Sequence, residues 1–375
     1  MICVSRGGSA MLSALQTTGT VIGDALGVAA LCAVVRWVVG QLSRASHTTG
    51  VATGDPQLAA ALDEAVRGHH TRSVAAAVVT TDAPPRFCYI DADADTSFEI
   101  GSLSKALTGL LVADRLPALD LAEDTPLSAL DPECEGALGT ITVQQLATHT
   151  SGLPKLPRSP LVFGQSLAFT AFGTNPYAGS TIRGLRRAAA RAARRATPGR
   201  FDYSNLGAAA LGQAIAHADN RTYADSLATH ILGPLQMTRT TVNPPRGGVH
   251  AGWTRDGRQT WPWRLGGYAP AGGVVSTITD MARLAQSVLG RTAPGQMALQ
   301  ERHRTSEQSG IGLFWMLKTV DGQHIHWHNG ETGGYSSYLG VNIDRGRAVV
   351  VLASVADSAR QQQIADALIR TSQND

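Results

Sequence analysis

The sequence predicts an α+β protein in which one antiparallel sheet is interrupted along the chain by a long helical region. Residues 73–80 and 86–90 have the composition of a buried strand and its hairpin partner. The middle of the chain instead repeats its apolar residues at helical spacing. Strands return near the end, before a last helix over residues 358–370. They are predicted at residues 311–320, 323–327, 335–343 and 348–355, with hairpin turns at Asp321-Gly322 and Asp344-Arg345-Gly346.

Length and composition indicate a globular protein with a large core. The 375 residues are 43% apolar and only 16% charged, which excludes a disordered chain. A net charge of +3 gives no indication of nucleic-acid binding. The cysteines at positions 3, 32, 88 and 134 lack the spacing of a metal site. Cys88 and Cys134 could pair outside the cytosol, although nothing in the sequence requires a disulfide.

The first fifty residues differ in character from the rest. Residues 25–35 form an apolar run that is shorter than the ~20 residues of a membrane span and closer to a signal-peptide core. Asp24 and Arg36 flank the run, and no cleavage site is evident. Residues 1–50 are therefore either a leader that exports the protein or anchors it to a membrane through residues 20–40, or a poorly ordered extension of a cytoplasmic protein. Residues 51–375 form the predicted folded domain.

Helices are predicted in order along this domain. The first, over residues 55–68, has Asp55 as its N-cap and Pro56 at its first position. Residues 155–182 have little periodicity and are predicted as a long loop of the kind that borders a site. A second helix begins at Ser102. Further helices are predicted over residues 142–149, 183–195, 206–217 and 223–231. The last one follows a glycine-rich turn at 266–273, is capped by Ser276 or Thr277 and ends at Leu289.

The helix over residues 183–195 combines alanine with arginine. Arg183, Arg187, Arg191 and Arg194 share one face of it. We interpret this helix as a solvated surface element. Binding of an anionic membrane or polymer is the alternative.

Ser102 and Lys105 form the only S-x-x-K sequence in the chain. Residues three apart share a helical face, so the Lys105 amine is expected one turn above the Ser102 hydroxyl. Gly101 suits a tight entry into the helix, and the helix N-terminus favours a developing negative charge. A desolvated lysine can remove the proton of a serine hydroxyl, whereas an arginine cannot. The pair is therefore a candidate nucleophile and base.

Two further short motifs follow in order. Tyr203-Ser204-Asn205 is the only Y-x-N sequence, and His328-Asn329-Gly330 comes just after a predicted strand. A tyrosine beside a lysine can pass a proton between nucleophile and leaving group. An asparagine can orient the lysine and bind a substrate carbonyl. Each motif alone is also compatible with ordinary capping and packing.

Together, the ordered motifs resemble those of the serine β-lactamase and penicillin-binding-protein superfamily, in its class C β-lactamase and D-alanyl-D-alanine carboxypeptidase branch. That family carries S-x-x-K, Y-x-N and K-T-G or H-x-G in this order. Residues 146–154 (LATHTSGLP), 198–207 and 270–277 (PAGGVVST) add to the resemblance, which covers about residues 55–370. It implies a five-stranded antiparallel sheet flanked by helices with an inserted all-helical region.

The resemblance also implies the roles of the site residues. Ser102 would be the acylated nucleophile, Lys105 its proton acceptor and Tyr203 the general base or acid partner. Asn205 would contact the lysine and the substrate carbonyl. His328, Asn329 and Gly330 would take the place of the third motif, and the backbone N–H groups of Ser102 and Glu331 would form the oxyanion hole. A small-molecule or peptide acyl substrate is implied, and no metal or organic cofactor.

The third motif departs from the K-T-G form, whose cation and hydroxyl bind a substrate carboxylate. Histidine is neutral over much of the range near pH 7. Glu331 would repel a substrate carboxylate if its side chain pointed inward, although it could point to solvent. These departures disfavour a β-lactamase and favour an esterase or amidase acting on uncharged acyl groups. The predicted substrate of the acyl-Ser102 enzyme is an ester, an amide, a D-amino-acyl peptide or a β-lactam.

Other interpretations stay open. His324, His326 and His328 alternate on one strand and could bind zinc. A penicillin-binding sensor or scaffold that is acylated without turnover, or a transacylase, would use the same first step. An α/β-hydrolase is disfavoured because no serine has glycine at both −2 and +2.

Overall fold

The computed structural model describes residues 50–69, 71–157, 164–165, 167–169, 173–242, 244 and 249–371. The leader predicted over residues 1–50 lies outside this part except for its last residue, so export, anchoring and membrane association stay predictions. Parts of the loop predicted over residues 155–182 also lie outside it. Among the described helices, none combines the length and the apolar character that crossing a bilayer requires.

A large antiparallel sheet crosses the centre of the described domain. Its strand order is β1-β3-β2-β14-β13-β12-β11-β10-β9, and two smaller sheets have the orders β4-β8-β5 and β6-β7. The described strands are β1 (Thr53–Gly54), β2 (Val74–Thr80), β3 (Arg86–Ile90), β4 (Phe98–Glu99), β5 (Thr241–Val242), β6 (Gly252–Trp253), β7 (Gln259–Thr260), β8 (Val274–Ser276), β9 (His303–Ser306), β10 (Ser309–Ile311), β11 (Met316–Val320), β12 (Gln323–Glu331), β13 (Ser336–Asn342) and β14 (Arg347–Ala353).

The expected antiparallel sheet between helices is confirmed, but the number of five strands is wrong, because the described sheet has nine. The predicted strand over residues 311–320 is two strands, β10 and β11. Between them the chain turns, with the Gly312 N–H donating to the Trp315 carbonyl at 2.8 Å and Phe314 at a φ of +60°. The added edge strands β1 and β9 are short and partly exposed, so they lack the buried alternation that makes a strand recognisable.

Helices cover both faces of the sheet. Asp55 caps α1 as predicted, its carboxylate accepting from the backbone N–H groups of Gln57 and Leu58. The described α-helices are α1 (Pro56–Val66), α2 (Ser104–Ala118), α3 (Leu127–Leu130), α4 (Gly136–Gly139), α5 (Val143–Ala147), α6 (Ile182–Ala193), α7 (Asn205–Ala218), α8 (Tyr223–Leu227), α9 (Ala269–Gly272), α10 (Ile278–Leu289) and α11 (Ser358–Thr371).

The sheet has two apolar cores because both of its faces are covered. On β2, Val74, Ala76 and Val78 pack in the core with α1 and α11, while the alternate residues face the larger core of the helical region. Cys88 lies in the core with α1 and α11, whereas Cys134 lies in the core of the helical region, and each is buried and free. The pairing left open by the sequence is therefore not formed.

Candidate active site

Ser102 lies in a tight turn between a short strand and a buried helix. β4 ends at Glu99, the 3-10 turn Gly101–Leu103 follows, and α2 begins directly after it. Gly101 has a φ of +50°, and a Cβ there would lie 2.7 Å from the backbone nitrogen of Glu331. Glycine is thus required both by the backbone conformation and by the close packing of this turn against the end of β12.

Gly330, at the end of β12, also allows this strand to pack closely on the turn that carries Ser102. A Cβ on Gly330 would overlap the carbonyl oxygen of Ile100, which accepts a hydrogen bond from the Ser337 hydroxyl at 2.8 Å. The two glycines bring the Glu331 N–H to the turn that carries Ser102. Backbone donors placed beside a nucleophile can stabilise a tetrahedral oxyanion. The packing is compatible with the expected oxyanion hole, which stays a prediction.

Lys105 is fully buried beneath the nucleophile. Its Nζ lies 3.0 Å from the Ser102 Oγ and donates to the carbonyl oxygen of Ala271 at 2.5 Å. Both partners are uncharged. Burial, and secondarily the charge of Lys155, hold the pKa of Lys105 well below its usual value. A neutral amine beside the hydroxyl can accept its proton.

Tyr203 completes the group around the Ser102 hydroxyl. Its side chain is hydrogen-bonded to Ser102, and the Lys105 Nζ lies 5.0 Å from the centre of its ring. Burial raises the pKa of the Tyr203 phenol above its usual range, and the hydrogen bond to Ser102 only partly opposes this. The phenol is therefore protonated near pH 7. This state fits a proton donor to a leaving group better than a primary base.

Asn205 stands close to this group as the first residue of α7. The preceding Ser204 caps the helix by accepting from the Gly207 N–H at 2.8 Å. The Asn205 amide hydrogen-bonds to the Tyr177 hydroxyl, while its Oδ1 is buried without a partner among the described residues. The unpartnered Oδ1 accepts no hydrogen bond from the Lys105 amine in the described chain, and the role of Asn205 implied by the resemblance stays a prediction.

His328 is buried inside β12, which extends four residues beyond its predicted end at 327. Its Nδ1 donates to the carbonyl oxygen of Asn329 at 2.6 Å, and its Nε2 has no partner among the described residues. Burial, followed by the charge of Lys105, lowers the pKa of His328 to about 3. Its ring centre is 6.4 Å from that of Tyr203. The third motif therefore presents a neutral imidazole to the site.

The sequence left open whether the Glu331 side chain points into the site or to the outside. In the structure the Glu331 carboxylate points away from the Ser102 turn, towards the start of α11. Its Oε2 accepts from the backbone N–H of Ser358 at 2.9 Å, at the start of α11. A carboxylate is stabilised there by the free N–H groups of the helix. The condition for like-charge repulsion, an inward-pointing carboxylate, is thus not met.

The zinc alternative gains no support. Within the part of the chain that the structure describes, no three His, Cys, Asp or Glu side chains are grouped so as to hold a metal ion. His324 is exposed, whereas burial lowers the pKa of His326 to about 4. These histidines therefore differ in environment although they alternate along one strand.

His149 is a site residue that the sequence analysis used only as part of a motif. Its backbone oxygen accepts from the Asp202 N–H at 2.8 Å, and its Nδ1 accepts from the Ser204 N–H at 3.2 Å. Its ring centre lies 4.5 Å from that of Tyr203. His149 thus holds both chain neighbours of Tyr203 and one face of its ring. Burial keeps the pKa of His149 well below its usual value, so the ring is neutral.

An aromatic cluster borders the site next to Asn205. Ring centres are 5.5 Å apart for Tyr177 and Trp263, and 5.3 Å apart for Tyr177 and Tyr268. The backbone N–H of Trp263 donates to the Glu99 carboxyl at 2.5 Å, and burial raises the pKa of Glu99 to about 7. No spacing in the sequence joins these residues, so only the folded chain identifies this apolar wall.

A serine, a buried lysine and a tyrosine grouped beside the end of β12, in an antiparallel sheet covered by helices, define a protein of the serine β-lactamase fold class. The chain matches the family model described as Beta-lactamase over residues 58–373, and it belongs to that family. The fold and the family are consistent with serine hydrolase activity.

Solved structures support the same fold. A class C β-lactamase from Rhodobacter sphaeroides has a TM-score of 0.71 at 21% identity, covering 85% of this chain and 100% of its own. An octameric penicillin-binding protein homologue from Pyrococcus abyssi has a TM-score of 0.71 at 20% identity, covering 85% of this chain and 77% of its own.

Curated relatives are also distant. A protein named Beta-lactamase from Escherichia coli K12 is 28% identical over 55% of this chain and 51% of its own length. Protein flp from Staphylococcus aureus MW2 is 24% identical over 71% and 54%, respectively. A Beta-lactamase-like protein from Arthroderma benhamiae is 25% identical over 70% and 49%. The chain thus spans about half the length of these relatives.

Proposed function

We propose that this protein is a serine hydrolase that forms an acyl-Ser102 intermediate on an ester or amide whose acyl group is uncharged. The observation that carries this proposal is the 3.0 Å contact between the Ser102 hydroxyl and a fully buried Lys105 whose pKa is depressed. A buried amine is a base at neutral pH, and it touches the one hydroxyl it would activate.

The reaction would proceed in two halves. Ser102 Oγ attacks the substrate carbonyl carbon while its proton passes to the Lys105 amine. The carbonyl oxygen becomes an oxyanion between the N–H groups of Ser102 and Glu331. Tyr203 then gives its proton to the leaving alcohol or amine and regains one from Lys105. A water molecule releases the acyl group by the same steps in reverse, which restores the Ser102 hydroxyl.

The charge of the site supports uncharged acyl groups at the reaction centre. His328 stands where a lysine would bind a carboxylate, and its pKa of about 3 leaves it without charge at neutral pH. A neutral imidazole offers a hydrogen bond but no Coulomb attraction. The preference for uncharged acyl groups does not depend on repulsion by the Glu331 carboxylate, which is hydrogen-bonded to the Ser358 N–H.

Intact-mass spectrometry of the wild type and of Ser102→Ala tests the proposal directly. Both are exposed briefly to a chromogenic acyl ester, a fluorophosphonate and penicillin G. We expect a Ser102-dependent phosphonate adduct together with turnover of the ester. A stable penicillin adduct would indicate a peptidase or sensor, and penicillin hydrolysis a β-lactamase. Folded protein that none of the probes labels at Ser102 would refute the assignment of the nucleophile.

A further inference from the structure

The arginines of α6 fall into two groups with different surroundings. Arg186 makes ion pairs with Asp131 at 2.6 Å and Glu133 at 2.8 Å, and it thereby ties α6 to the neighbouring segment. In the described residues these are the ion pairs that α6 makes. The remaining arginines of this helix and of the segment after it are exposed: Arg183, Arg187, Arg191, Arg194 and Arg195.

Four of the exposed arginines line a groove with a volume of about 740 Å³. The lining contains four arginines and one residue with a carboxylate, Asp202, so positive charge is in excess. A concave surface with charge of one sign concentrates the field and attracts ligands of the opposite sign. The arginines that line the groove are Arg187, Arg191, Arg194 and Arg195.

The loop that contains Gly152 and Pro154 also lines the groove and is held in place by packing and a hydrogen bond. Gly152 lines the groove, and a Cβ there would lie 2.6 Å from the backbone nitrogen of Thr197, so this loop packs directly on the end of the arginine segment. The carbonyl oxygen of Pro154 accepts from the Ser204 hydroxyl at 2.9 Å. The groove is therefore anchored to the residue that follows Tyr203.

The groove adjoins the active site through an aromatic side chain. Tyr268 lines the groove, and its ring centre is 5.3 Å from that of Tyr177, which bonds to Asn205. Lys155, in the same loop as Pro154, is near enough to lower the pKa of Lys105. Positive charge thus extends from the groove towards the catalytic centre, while the centre itself has the neutral His328.

We propose that the arginine groove binds an anionic group, a carboxylate or a phosphate, carried by the substrate at a distance from its scissile bond. This rests on the proposed function, because it assigns the class of substrate. Guanidinium groups bind carboxylate and phosphate oxygens through paired, charge-assisted hydrogen bonds. The substrate is therefore uncharged at the reacting acyl group and negative at its far end.

A matched set of chromogenic esters tests this assignment. The esters share one uncharged acyl group and one chromogenic alcohol, and the alcohol carries a side chain that ends in a carboxylate, a phosphate or a carboxamide. The quantity compared is the ratio of kcat/KM for each anionic ester to that for the carboxamide. For the double variant Arg187→Gln/Arg191→Gln we expect this ratio to fall about tenfold, the effect of losing roughly one charge-assisted hydrogen bond.

Arg183→Gln is the matched control, because Arg183 is exposed on the same helix but does not line the groove. The ratio should stay unchanged in this variant. In the wild type it should shrink towards one as salt is raised, because screening weakens exposed charge pairs. Whether the carboxylate or the phosphate ester has the larger ratio identifies the anion that the groove prefers. The proposal would be overturned if the ratio fell equally in Arg183→Gln, or if the wild type preferred neither anionic ester over the carboxamide.

A binding measurement separates failure of the groove from failure of the proposed function. Ser102→Ala cannot form the acyl-enzyme, so the same esters serve as ligands in calorimetric titrations. If the wild type hydrolyses none of them but Ser102→Ala binds an anionic ester at least tenfold more tightly than the carboxamide, the groove is supported and the hydrolase proposal is not. Equal binding of all esters by Ser102→Ala would overturn the proposed anion site in the groove. The proposal would also be overturned if the protein binds anionic vesicles and Arg183→Gln weakens that binding as much as the double variant does.

Discussion

At the scale of single residues, the charge state of Lys105 decides whether the site can work. Its amine is surrounded by uncharged groups, namely the Ser102 hydroxyl and the Ala271 carbonyl. Such surroundings disfavour the ammonium form and make the amine available as a base. The same burial leaves Tyr203 protonated and His328 neutral, so at one pH the site holds a proton acceptor, a proton donor and an uncharged imidazole.

Replacing Lys105 tests this assignment of the base. In Lys105→Met the chain keeps its length and apolar packing but loses the proton acceptor, so acylation of Ser102 should slow by about 10² to 10⁴. The rate of phosphonate labelling, followed by intact mass, measures this. Thermal unfolding provides the control, since the substitution replaces a buried neutral amine by an apolar side chain of similar length and the fold should survive. Labelling at the wild-type rate would show that another group activates Ser102.

His149 gives a second prediction, because it holds Tyr203 from both sides. His149→Asn can keep the acceptor for the Ser204 N–H, and asparagine tolerates the φ of +56° found there. His149→Leu keeps apolar bulk but has no acceptor. We expect the leucine variant to lose about tenfold more kcat than the asparagine variant, at similar KM, since an unpaired buried N–H next to Tyr203 costs ~1–3 kcal/mol.

To test the role of His149, kcat and KM of the wild type and of both variants are measured with one ester, together with the pH profile of kcat. A merely structural role would lower the fraction of active protein in both variants and leave the profile unchanged. A displaced Tyr203 should instead change the basic limb, because Tyr203 passes the proton to the leaving group. Equal kcat in the two variants would contradict a positioning role for the Nδ1 acceptor.

At the scale of elements, the site depends on the contact between the Ser102 turn and β12. Gly101 faces the backbone of Glu331 and Gly330 faces the backbone of Ile100, in both cases without room for a Cβ. The interlocking also explains why β12 continues to Glu331 instead of ending at 327, since its last residues pair with β13 and pack on the turn. The final helix fixes the same strand end through the Glu331–Ser358 hydrogen bond.

Gly330→Ala should therefore impair catalysis more than folding. The added methyl group would push β12 away from Ile100 and move the Glu331 N–H out of reach of the oxyanion. We expect stability to fall by about 1–3 kcal/mol and kcat to fall by about 10² or more. Thermal unfolding and ester hydrolysis, both measured well below Tm, check the two effects. Loss of stability with unchanged kcat would show that Glu331 does not supply an oxyanion donor.

At the scale of the whole molecule, the buried titratable groups predict how stability depends on pH. His328 and His326 have pKa values of about 3 and about 4 in the folded protein, and the pKa of His149 is also depressed. Below pH ~6.5 the unfolded chain protonates its histidines while the folded chain does not. Stability should therefore fall on acidification through this range, by up to ~1.4 kcal/mol per pH unit for each histidine.

Glu99 acts in the opposite direction. Its pKa is about 7 in the folded protein, so between pH ~4.5 and 7 the unfolded chain loses a proton that the folded chain retains. Glu99→Gln should thus gain stability relative to the wild type as the pH rises through this window. Urea unfolding of both proteins between pH 4 and 8 measures the two slopes. A difference that does not change with pH would contradict the protonated state of buried Glu99.

Local patterns were sufficient for the longer helices, for the strands with continuous apolar runs and for proposing three of the candidate site residues. A helix face places Lys105 one turn from Ser102, and Tyr203 was identified by its motif and its resemblance to the family. The strands with continuous apolar runs, β2, β3, β13 and β14, were predicted within one or two residues. Helix and strand periodicities are properties of neighbouring residues, so the sequence alone contains them.

The sequence by itself determined the α+β architecture, the family and a candidate nucleophile with its candidate base. The tertiary structure decided the neutral state of His328, the outward direction of the Glu331 carboxylate, the support of Tyr203 by His149, and the groove beside α6. The reason is physical: burial, hydrogen-bond partners and pKa values depend on segments that are distant in the chain, such as His149 and Ser204 or Glu331 and Ser358. These contacts exist only after the chain has folded.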